Sequence, residues 1–244
     1  MKVGLFIPCY INQFYPQVAV ATLEFLEKQN IDVVYPLKQT CCGQPLANSG
    51  FEHLASRCSE AFLDQFMNFE FIVCPSGSCT LHLKEHLHLD ARAEEMEMMA
   101  SRTYELTEFL TDVLKLKTLT ARFPHKVALH QSCHGLRGLK LAQMSELVSP
   151  PFSKPEKLLK MVDGLSLVEL TRQDECCGFG GVFSVDEEAV SVRMGVDRIA
   201  DFEAHDAEFI TSADMSCLMH IDGILRRKQS GMQTIHIAEI LNAS

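Results

Sequence analysis

The sequence predicts an α/β fold with two similar lobes, each built from a small, mainly parallel sheet flanked by helices. Strand-like and helix-like segments alternate along the chain, and the same ordered segments occur in both halves. Such alternation favours parallel strands joined by right-handed helical crossovers. The 244 residues are 47% hydrophobic and 22% charged, which is sufficient for a sizeable core. We expect one cysteine-rich repeat over residues 1–122 and a second over residues 123–244.

The internal duplication is seen most clearly in two Cys-Cys-Gly triplets, which begin at Cys41 and Cys176. Chance would supply only about 0.02 such triplets at this composition, so the repetition is meaningful. Segments around the triplets repeat as well. The matching pairs are "KVGLFIPC" with "KVALHQSC", "FEFIVCPSGSC" with "AEFITSADMSC", and "YELTEFLTDVL" with "IHIAEILNA".

In the first half, short apolar or β-branched runs alternate with longer segments whose apolar residues recur at helical spacing. The run before Pro8 predicts the first strand, and Val18, Phe25 and their neighbours predict the helix that follows. The predicted strands are residues 3–7, 31–35 and 69–74, and the predicted helices are residues 15–28, 51–68 and 80–89.

The second half repeats this order with an extra segment. The predicted strands are residues 127–129, 165–170 and 208–211, and the predicted helices are residues 139–148, 186–204 and 218–228. The proline-rich stretch "PPFSKP" at residues 150–155 lies inside the repeat, so we interpret it as an insertion loop.

The charge of the chain argues against two classes of partner. The formal net charge is −10 and there is no run of Lys or Arg, which disfavours nucleic acid and anionic membrane surfaces. The apolar run after Lys2 is too short for a signal peptide, and no run has membrane-spanning length. We therefore expect a cytoplasmic protein without membrane insertion.

Ten cysteines in such a chain require an explanation. A reducing compartment disfavours disulfides, and adjacent cysteines lie too close for an ordinary disulfide. In each half, four cysteines follow three predicted strands, so three loops at the carboxyl edge of a parallel sheet can bring them together. The predicted ligand sets are Cys9, Cys41, Cys42 and Cys79 in the first half, and Cys133, Cys176, Cys177 and Cys217 in the second.

Four thiolates suit either an iron–sulfur cluster or structural zinc. Zinc sites usually contain a short Cys-x₂₋₄-Cys spacing, and the sequence has only the Cys74-x₄-Cys79 spacing in one half, so the pattern favours iron. A glycine after each cysteine pair, Gly43 and Gly178, allows the positive φ that turns both side chains toward one centre.

The remaining candidates are less specific. Cys58 fits core packing on a helix, and Cys74 fits either core packing or a fifth ligand. His130 and His134 flank Cys133, where they could replace a thiolate or simply belong to a polar loop. The spacing of His82, His86 and His88 predicts one solvent-exposed helix face.

Two copies of Cys…Cys-Cys-Gly…Cys resemble the cysteine-rich CCG domain of the heterodisulfide reductase B subunit and of the glycolate oxidase iron–sulfur subunit. With "IPCY" near the N-terminus and "CPSGSC", the whole chain resembles the lactate utilization protein A family. The resemblance implies an iron–sulfur electron-transfer subunit of a cytoplasmic complex that oxidises L-lactate to pyruvate. The implied cofactors are one or two [4Fe–4S] clusters on the eight cysteines, with zinc an alternative at either set. The implied partners are a ferredoxin-type iron–sulfur subunit and a third small subunit.

The sequence departs from the reductase pattern at two positions. The reductase motif ends in Cys-x-x-Cys, whereas this chain has Ser76 and Asp214 at the first of those positions. Each set therefore lacks the fifth cysteine. Two other functions stay open at this level, a cluster-based reductase of the heterodisulfide type and a zinc-stapled assembly subunit without redox activity.

Overall fold

The computed structural model describes all 244 residues and confirms an α/β fold with two sheets of four parallel strands. The first sheet has the strand order β2-β1-β3-β4 and the second the order β6-β5-β7-β8. The strands of the first sheet are β1 (Lys2–Leu5), β2 (Asp32–Val34), β3 (Phe71–Cys74) and β4 (Thr103–Glu105). Those of the second are β5 (Lys126–Leu129), β6 (Ser166–Leu167), β7 (Phe209–Ser212) and β8 (Gln233–His236). Each sheet thus lies within one half of the sequence.

Helices connect the strands in both halves. In the first half they are α1 (Cys9–Phe14), α2 (Pro16–Lys28), α3 (Gln44–Asn48), α4 (Ser56–Phe66), α5 (Gly77–Glu85), α6 (Ala93–Arg102) and α7 (Leu106–Glu108). In the second they are α8 (Lys154–Leu159), α9 (Phe183–Asp186), α10 (Glu188–Ala204), α11 (Met215–Lys228) and α12 (Ile237–Leu241). Short 3₁₀ or π segments cover Glu52–Ala55, Asp90–Arg92, Phe109–Val113 and His134–Gly138. None of the helices combines the length and the apolar character needed to cross a bilayer.

The two sheets have equivalent registers, as expected for an internal duplication. Leu5 at the end of β1 pairs with Val73, and Leu129 at the end of β5 pairs with Thr211. The next residue in each lobe also donates its backbone N–H to the partner strand. Phe6 donates to the Val73 carbonyl at 2.9 Å, and His130 donates to the Thr211 carbonyl at 2.7 Å. Phe6 and His130 therefore occupy equivalent positions in the two lobes.

The lobes interlock through their last helices. Helix α12 of the second half packs against α2 of the first, and α7 of the first half packs against α8 of the second. Lys28 Nζ donates to Asn242 Oδ1 at 2.7 Å, and Asn242 Nδ2 donates to Glu24 at 2.8 Å. One apolar core contains buried side chains from both halves. The boundary between residues 122 and 123 stays a prediction.

The predicted helix over residues 139–148 is wrong. Lys140 has a φ of +54°, which interrupts a right-handed helix, and Leu141 and Ala142 then turn into the core. Helix α8 supplies the crossover instead. It begins within the proline-rich stretch, where the Ser153 side chain accepts from the Glu156 N–H as an N-cap and Pro155 lies in the first turn.

The last helix of each lobe begins with a reciprocal capping box, formed by Glu105 with Glu108 and by His236 with Glu239. His236 is fully buried, and its Nδ1 accepts the Ala238 N–H at 3.1 Å. Burial lowers the pKa of His236 to about 4. Below about pH 6.5 the His236 imidazole therefore binds a proton in the unfolded chain but not in the native protein. The free energy of unfolding consequently falls as the pH decreases toward 4.

We expect His236→Asn to remove this pH dependence, because Asn is an effective N-cap that does not titrate. Between pH 7 and pH 5 the wild-type protein should lose about 2 kcal/mol more unfolding free energy than the variant. Denaturant unfolding at both pH values measures this, with the exposed His53→Asn as a control that keeps the wild-type slope. Equal pH slopes for His236→Asn and the wild type would contradict the assignment.

Candidate metal centres

The first predicted set of cysteines lies at the carboxyl edge of the first sheet. Cys9 is the first residue of α1 after β1, Cys41 and Cys42 occupy the loop between β2 and α3, and Cys79 lies in the first turn of α5. The Sγ atoms of Cys9 and Cys41 are 3.6 Å apart. Those of Cys42 and Cys79 are 3.5 Å apart. Residues separated by up to seventy positions in sequence thus form one group of thiols.

The second set occupies the equivalent places in the second sheet. Cys133 follows β5, Cys176 and Cys177 lie in the loop after β6, and Cys217 lies in the first turn of α11 after β7. The Sγ atoms of Cys177 and Cys217 are within 4.8 Å of each other and of a ring nitrogen of His130. His134 lies in the turn after Cys133.

The glycine after each cysteine pair adopts a positive φ, +93° at Gly43 and +89° at Gly178. Each of these glycines donates its N–H to the first cysteine of its pair, at 3.4 Å to Cys41 Sγ and 3.4 Å to Cys176 Sγ. A Cβ at Gly178 would lie 2.5 Å from the Ser191 carbonyl oxygen, so a larger residue does not fit there. The turn therefore orients the cysteine pair and supplies a backbone donor to sulfur.

The pKa values of the thiols are shifted in the same pattern in both sets. Hydrogen bonds from the Cys42 and Cys9 thiols lower the pKa of Cys41 to about 2. Hydrogen bonds within the second set likewise lower the pKa of Cys176 to about 2. The pKa of each donor thiol is raised, because its proton bridges two sulfur atoms. The first cysteine of each pair is therefore the thiol that ionises most readily, and the remaining thiol protons must leave when a metal binds.

Both sets open onto one cavity of about 430 Å³ between the lobes. Its lining contains all eight predicted cysteines: Cys9, Cys41, Cys42, Cys79, Cys133, Cys176, Cys177 and Cys217. Gly180 and Gly181 form part of the wall, with φ values of +55° and +64° that favour glycine. The sequence predicts one set in each lobe, and the structure adds that the two sets share a single space.

The positions that hold a fifth cysteine in the reductase form a hydrogen-bonded link between the lobes. Ser76 caps α5 and Asp214 caps α11, and the Ser76 hydroxyl donates to Asp214 at 3.4 Å. Asp214 also accepts from Tyr10 at 3.2 Å and from the Ser78 N–H at 2.7 Å. Both Ser76 and Asp214 are completely buried. These residues therefore cap helices and hold the lobes together.

The two remaining cysteines lie apart from the sets. Cys58 is half-buried on α4, and Cys74 is fully buried at the end of β3, where its thiol donates to the Ser76 carbonyl at 3.8 Å. The prediction that His82 is solvent-exposed is wrong, since its side chain is buried. Helix α5 packs there against the turn at residues 134–138 of the other lobe, a contact that periodicity within α5 does not reveal.

The sequence gives no signal for Arg198, which lies beside the second set. This guanidinium is completely buried, and its Nε–H donates to His130 Nδ1 at 3.3 Å. The neutral His130 ring therefore carries its hydrogen on Nε2, which leaves neither nitrogen with a free lone pair for a metal. Burial and Arg198 lower the pKa of His130 to about 3.

The donor sets suit metal in two ways. Sγ–Sγ separations of 3.5 and 3.6 Å resemble the edge of a tetrahedron of thiolates around a zinc ion, about 3.8 Å for Zn–S bonds of about 2.3 Å. The adjoining cavity and the N–H donors to sulfur suit a larger iron–sulfur cluster, whose thiolates sit on separate iron atoms. In both cases the ligands would be four thiolates per lobe.

Comparison with known proteins gives one family match, described as "Cysteine-rich domain", over residues 3–84 and 127–222. Lactate utilization protein A of Bacillus subtilis (strain 168) is 39% identical over 247 aligned positions that cover both chains completely. The protein of the same name from Geobacillus kaustophilus is 40% identical and is matched over 99% of its length.

A solved structure also shares the fold. A hypothetical protein from Helicobacter pylori superposes with a TM-score of 0.59 at 12% identity, over 98% of this chain and 48% of that one. The present chain thus spans about half of that protein. The similarity extends the two-lobed α/β architecture to a distant sequence.

Proposed function

We propose a redox function for this chain, which belongs to the cysteine-rich domain family and within it to the lactate utilization protein A family. In this proposal the chain is an iron–sulfur electron-transfer subunit of a cytoplasmic complex that oxidises L-lactate to pyruvate. The single observation that carries this proposal is the common cavity lined by eight cysteines from both lobes. The cysteines of each lobe would hold one centre, and the common cavity would place the two centres close enough for electron exchange.

The proposed ligands are the four cysteines of each set. Cys42, Cys79, Cys177 and Cys217 are buried, and they would fix the inner side of each centre. Cys9 is exposed and would hold the outer side. A bound cluster would supply a reversible one-electron couple. The N–H groups of Gly43 and Gly178 would donate to ligand sulfur, which favours the reduced state.

The chain would work with other subunits rather than alone. Its family membership supports a role in lactate utilization. We propose a ferredoxin-type iron–sulfur subunit and a third small subunit as the partners, and we assign lactate binding to one of them. The replacement of the reductase's fifth cysteine by the helix caps Ser76 and Asp214 disfavours a cluster-based reductase.

A zinc-stapled assembly subunit is the second candidate, because two Sγ–Sγ separations in the first set, 3.6 Å for Cys9–Cys41 and 3.5 Å for Cys42–Cys79, are close to the edge of a thiolate tetrahedron around zinc. In that case the thiols would join three loops of each lobe and shape a docking surface, with no redox change. The two candidates differ in metal content and colour.

We expect anaerobically prepared protein to be brown and to contain about eight iron atoms with matching sulfide per chain. Iron, zinc and sulfide quantitation followed by EPR after reduction makes this measurement. The loaded protein alone should not turn over lactate with an electron-accepting dye. One or two zinc atoms and no iron after anaerobic cluster reconstitution would overturn the electron-transfer proposal in favour of the zinc subunit.

A further inference from the structure

The second lobe contains a buried polar chain that leads to its cysteine set. Asp201 on α10 accepts from Arg198 Nη1 at 3.0 Å and from the backbone N–H groups of Thr171 at 3.2 Å and Arg172 at 3.1 Å. These backbone donors fix the carboxylate, which in turn fixes the guanidinium. Arg198 is the only fully buried Lys or Arg side chain in the protein.

His130 is the end of this chain nearest to sulfur. Arg198 donates to its Nδ1, so the hydrogen of the neutral ring is on Nε2. His130 Nε2 is completely buried and has no hydrogen-bond partner among protein atoms. A buried N–H without an acceptor is costly, and the sulfur atoms of Cys177 and Cys217 lie within 4.8 Å of a His130 ring nitrogen. The structure contains no hydrogen bond from Nε2 to sulfur, and we assign sulfur of the second set as its acceptor when that centre is loaded.

The first lobe has no histidine at the equivalent position. The residue in the position of His130 is Phe6, which packs against the rings of Phe62 and Phe66 at 5.8 and 5.7 Å between centroids. The buried histidine of the first lobe, His82 on α5, also has an Nε2 without a hydrogen-bond partner, and it lies beside Gly43. It differs from His130 in that it forms no close group with two cysteine sulfur atoms and is not hydrogen-bonded to an arginine. Both lobes have the same arrangement of cysteines, but the residues around it differ. At this position the first lobe has an apolar aromatic cluster, whereas the second has the N–H donor His130, which is held by the Arg198 guanidinium.

We propose that His130 donates a hydrogen bond to sulfur of the second-lobe centre and makes that centre the more easily reduced of the two. This inference rests on the proposed iron–sulfur function. Reduction adds negative charge, and an N–H donor to sulfur stabilises that charge. Arg198 is the positioning residue that holds the ring and fixes its tautomer. Electrons that enter at the first-lobe centre would then pass downhill to the second.

The test uses the second-lobe centre alone, in a Cys42→Ser background, followed by EPR during a potentiometric titration. His130→Phe places the first-lobe residue in the second lobe and removes the donor. At the potential where half of the parent centre is reduced, we expect a ratio of reduced to oxidised centre about tenfold lower, equivalent to about 59 mV for a one-electron couple. His130→Gln keeps an N–H and should stay near the parent, and so should the first-lobe control Phe6→Leu.

A second measurement needs no variant to fold. In the wild-type protein with ¹⁵N-labelled histidine, electron–nuclear double resonance of the reduced second-lobe centre should detect a histidine nitrogen coupled through the hydrogen bond. An unchanged midpoint in iron-loaded His130→Phe, or the absence of this coupling, would overturn the inference and leave the electron-transfer function standing. Absence of iron from both lobes would instead remove the function itself.

Discussion

Cys177→Ser is expected to empty the second lobe of metal and leave the first lobe loaded. Cys177 is almost completely buried, follows Cys176 directly, and has its Sγ within 4.8 Å of that of Cys217. A serine hydroxyl is a much poorer ligand for iron or zinc than a thiolate, and a buried site offers no replacement. The metal content should therefore fall by about half, which elemental analysis of anaerobically prepared protein measures.

Two variants accompany this experiment. Cys42→Ser should empty the first lobe in the same way, and the remaining EPR signals of the two variants should together reproduce the wild-type spectrum. Cys58→Ser is the matched control, because Cys58 lies on α4 outside both sets. Wild-type metal content in both Cys42→Ser and Cys177→Ser would show that the eight cysteines are not the ligands.

Asp214→Ala is expected to cost about 4 kcal/mol of unfolding free energy in the metal-free, reduced protein. The carboxylate is completely buried and accepts hydrogen bonds from Tyr10, Ser76 and Ser78 of the first half and from Ser216 of its own helix. Truncation leaves these donors buried without an acceptor and removes the N-cap of α11.

Chemical denaturation measures this effect, with the exposed Glu60→Ala on α4 as a control for the loss of a carboxylate. Asp214→Asn keeps one acceptor oxygen and should lose less than Asp214→Ala. A value for Asp214→Ala within about 1 kcal/mol of the wild type would mean that the link between the lobes contributes little to stability.

The internal duplication explains why so much of the fold could be predicted. Each segment occurs once in each half, so a weak strand prediction such as residues 208–211 is supported by the corresponding segment of the other repeat, residues 69–74. The parallel sheets then follow from the alternation of elements, and the proximity of Cys9 to Cys41 follows from the rule that loops at one sheet edge lie together. These inferences depend on local pattern and repetition, both of which a single sequence contains.

The failures concern tertiary contacts. Residues 139–148 have helical spacing, but Lys140 turns the chain so that Leu141 packs inward, a tertiary preference that outweighs local propensity. His82 is buried by tertiary packing, since its ring lies beside Gly43 and α5 also contacts the turn at residues 134–138. The common cavity and the Ser76–Asp214 link likewise depend on how two separately predictable units meet, which periodicity does not encode.

The close approach of Cys9 and Cys41 has a consequence for handling and maturation. Hydrogen bonding from neighbouring thiols lowers the pKa of Cys41, and its Sγ lies 3.6 Å from that of Cys9, which is exposed to solvent. A thiolate is the form that oxidants attack, and a neighbouring thiol resolves the sulfenic acid into a disulfide. A disulfide between Cys9 and Cys41 would remove two of the proposed ligands, so we expect air-exposed protein to bind less metal than protein kept without oxygen.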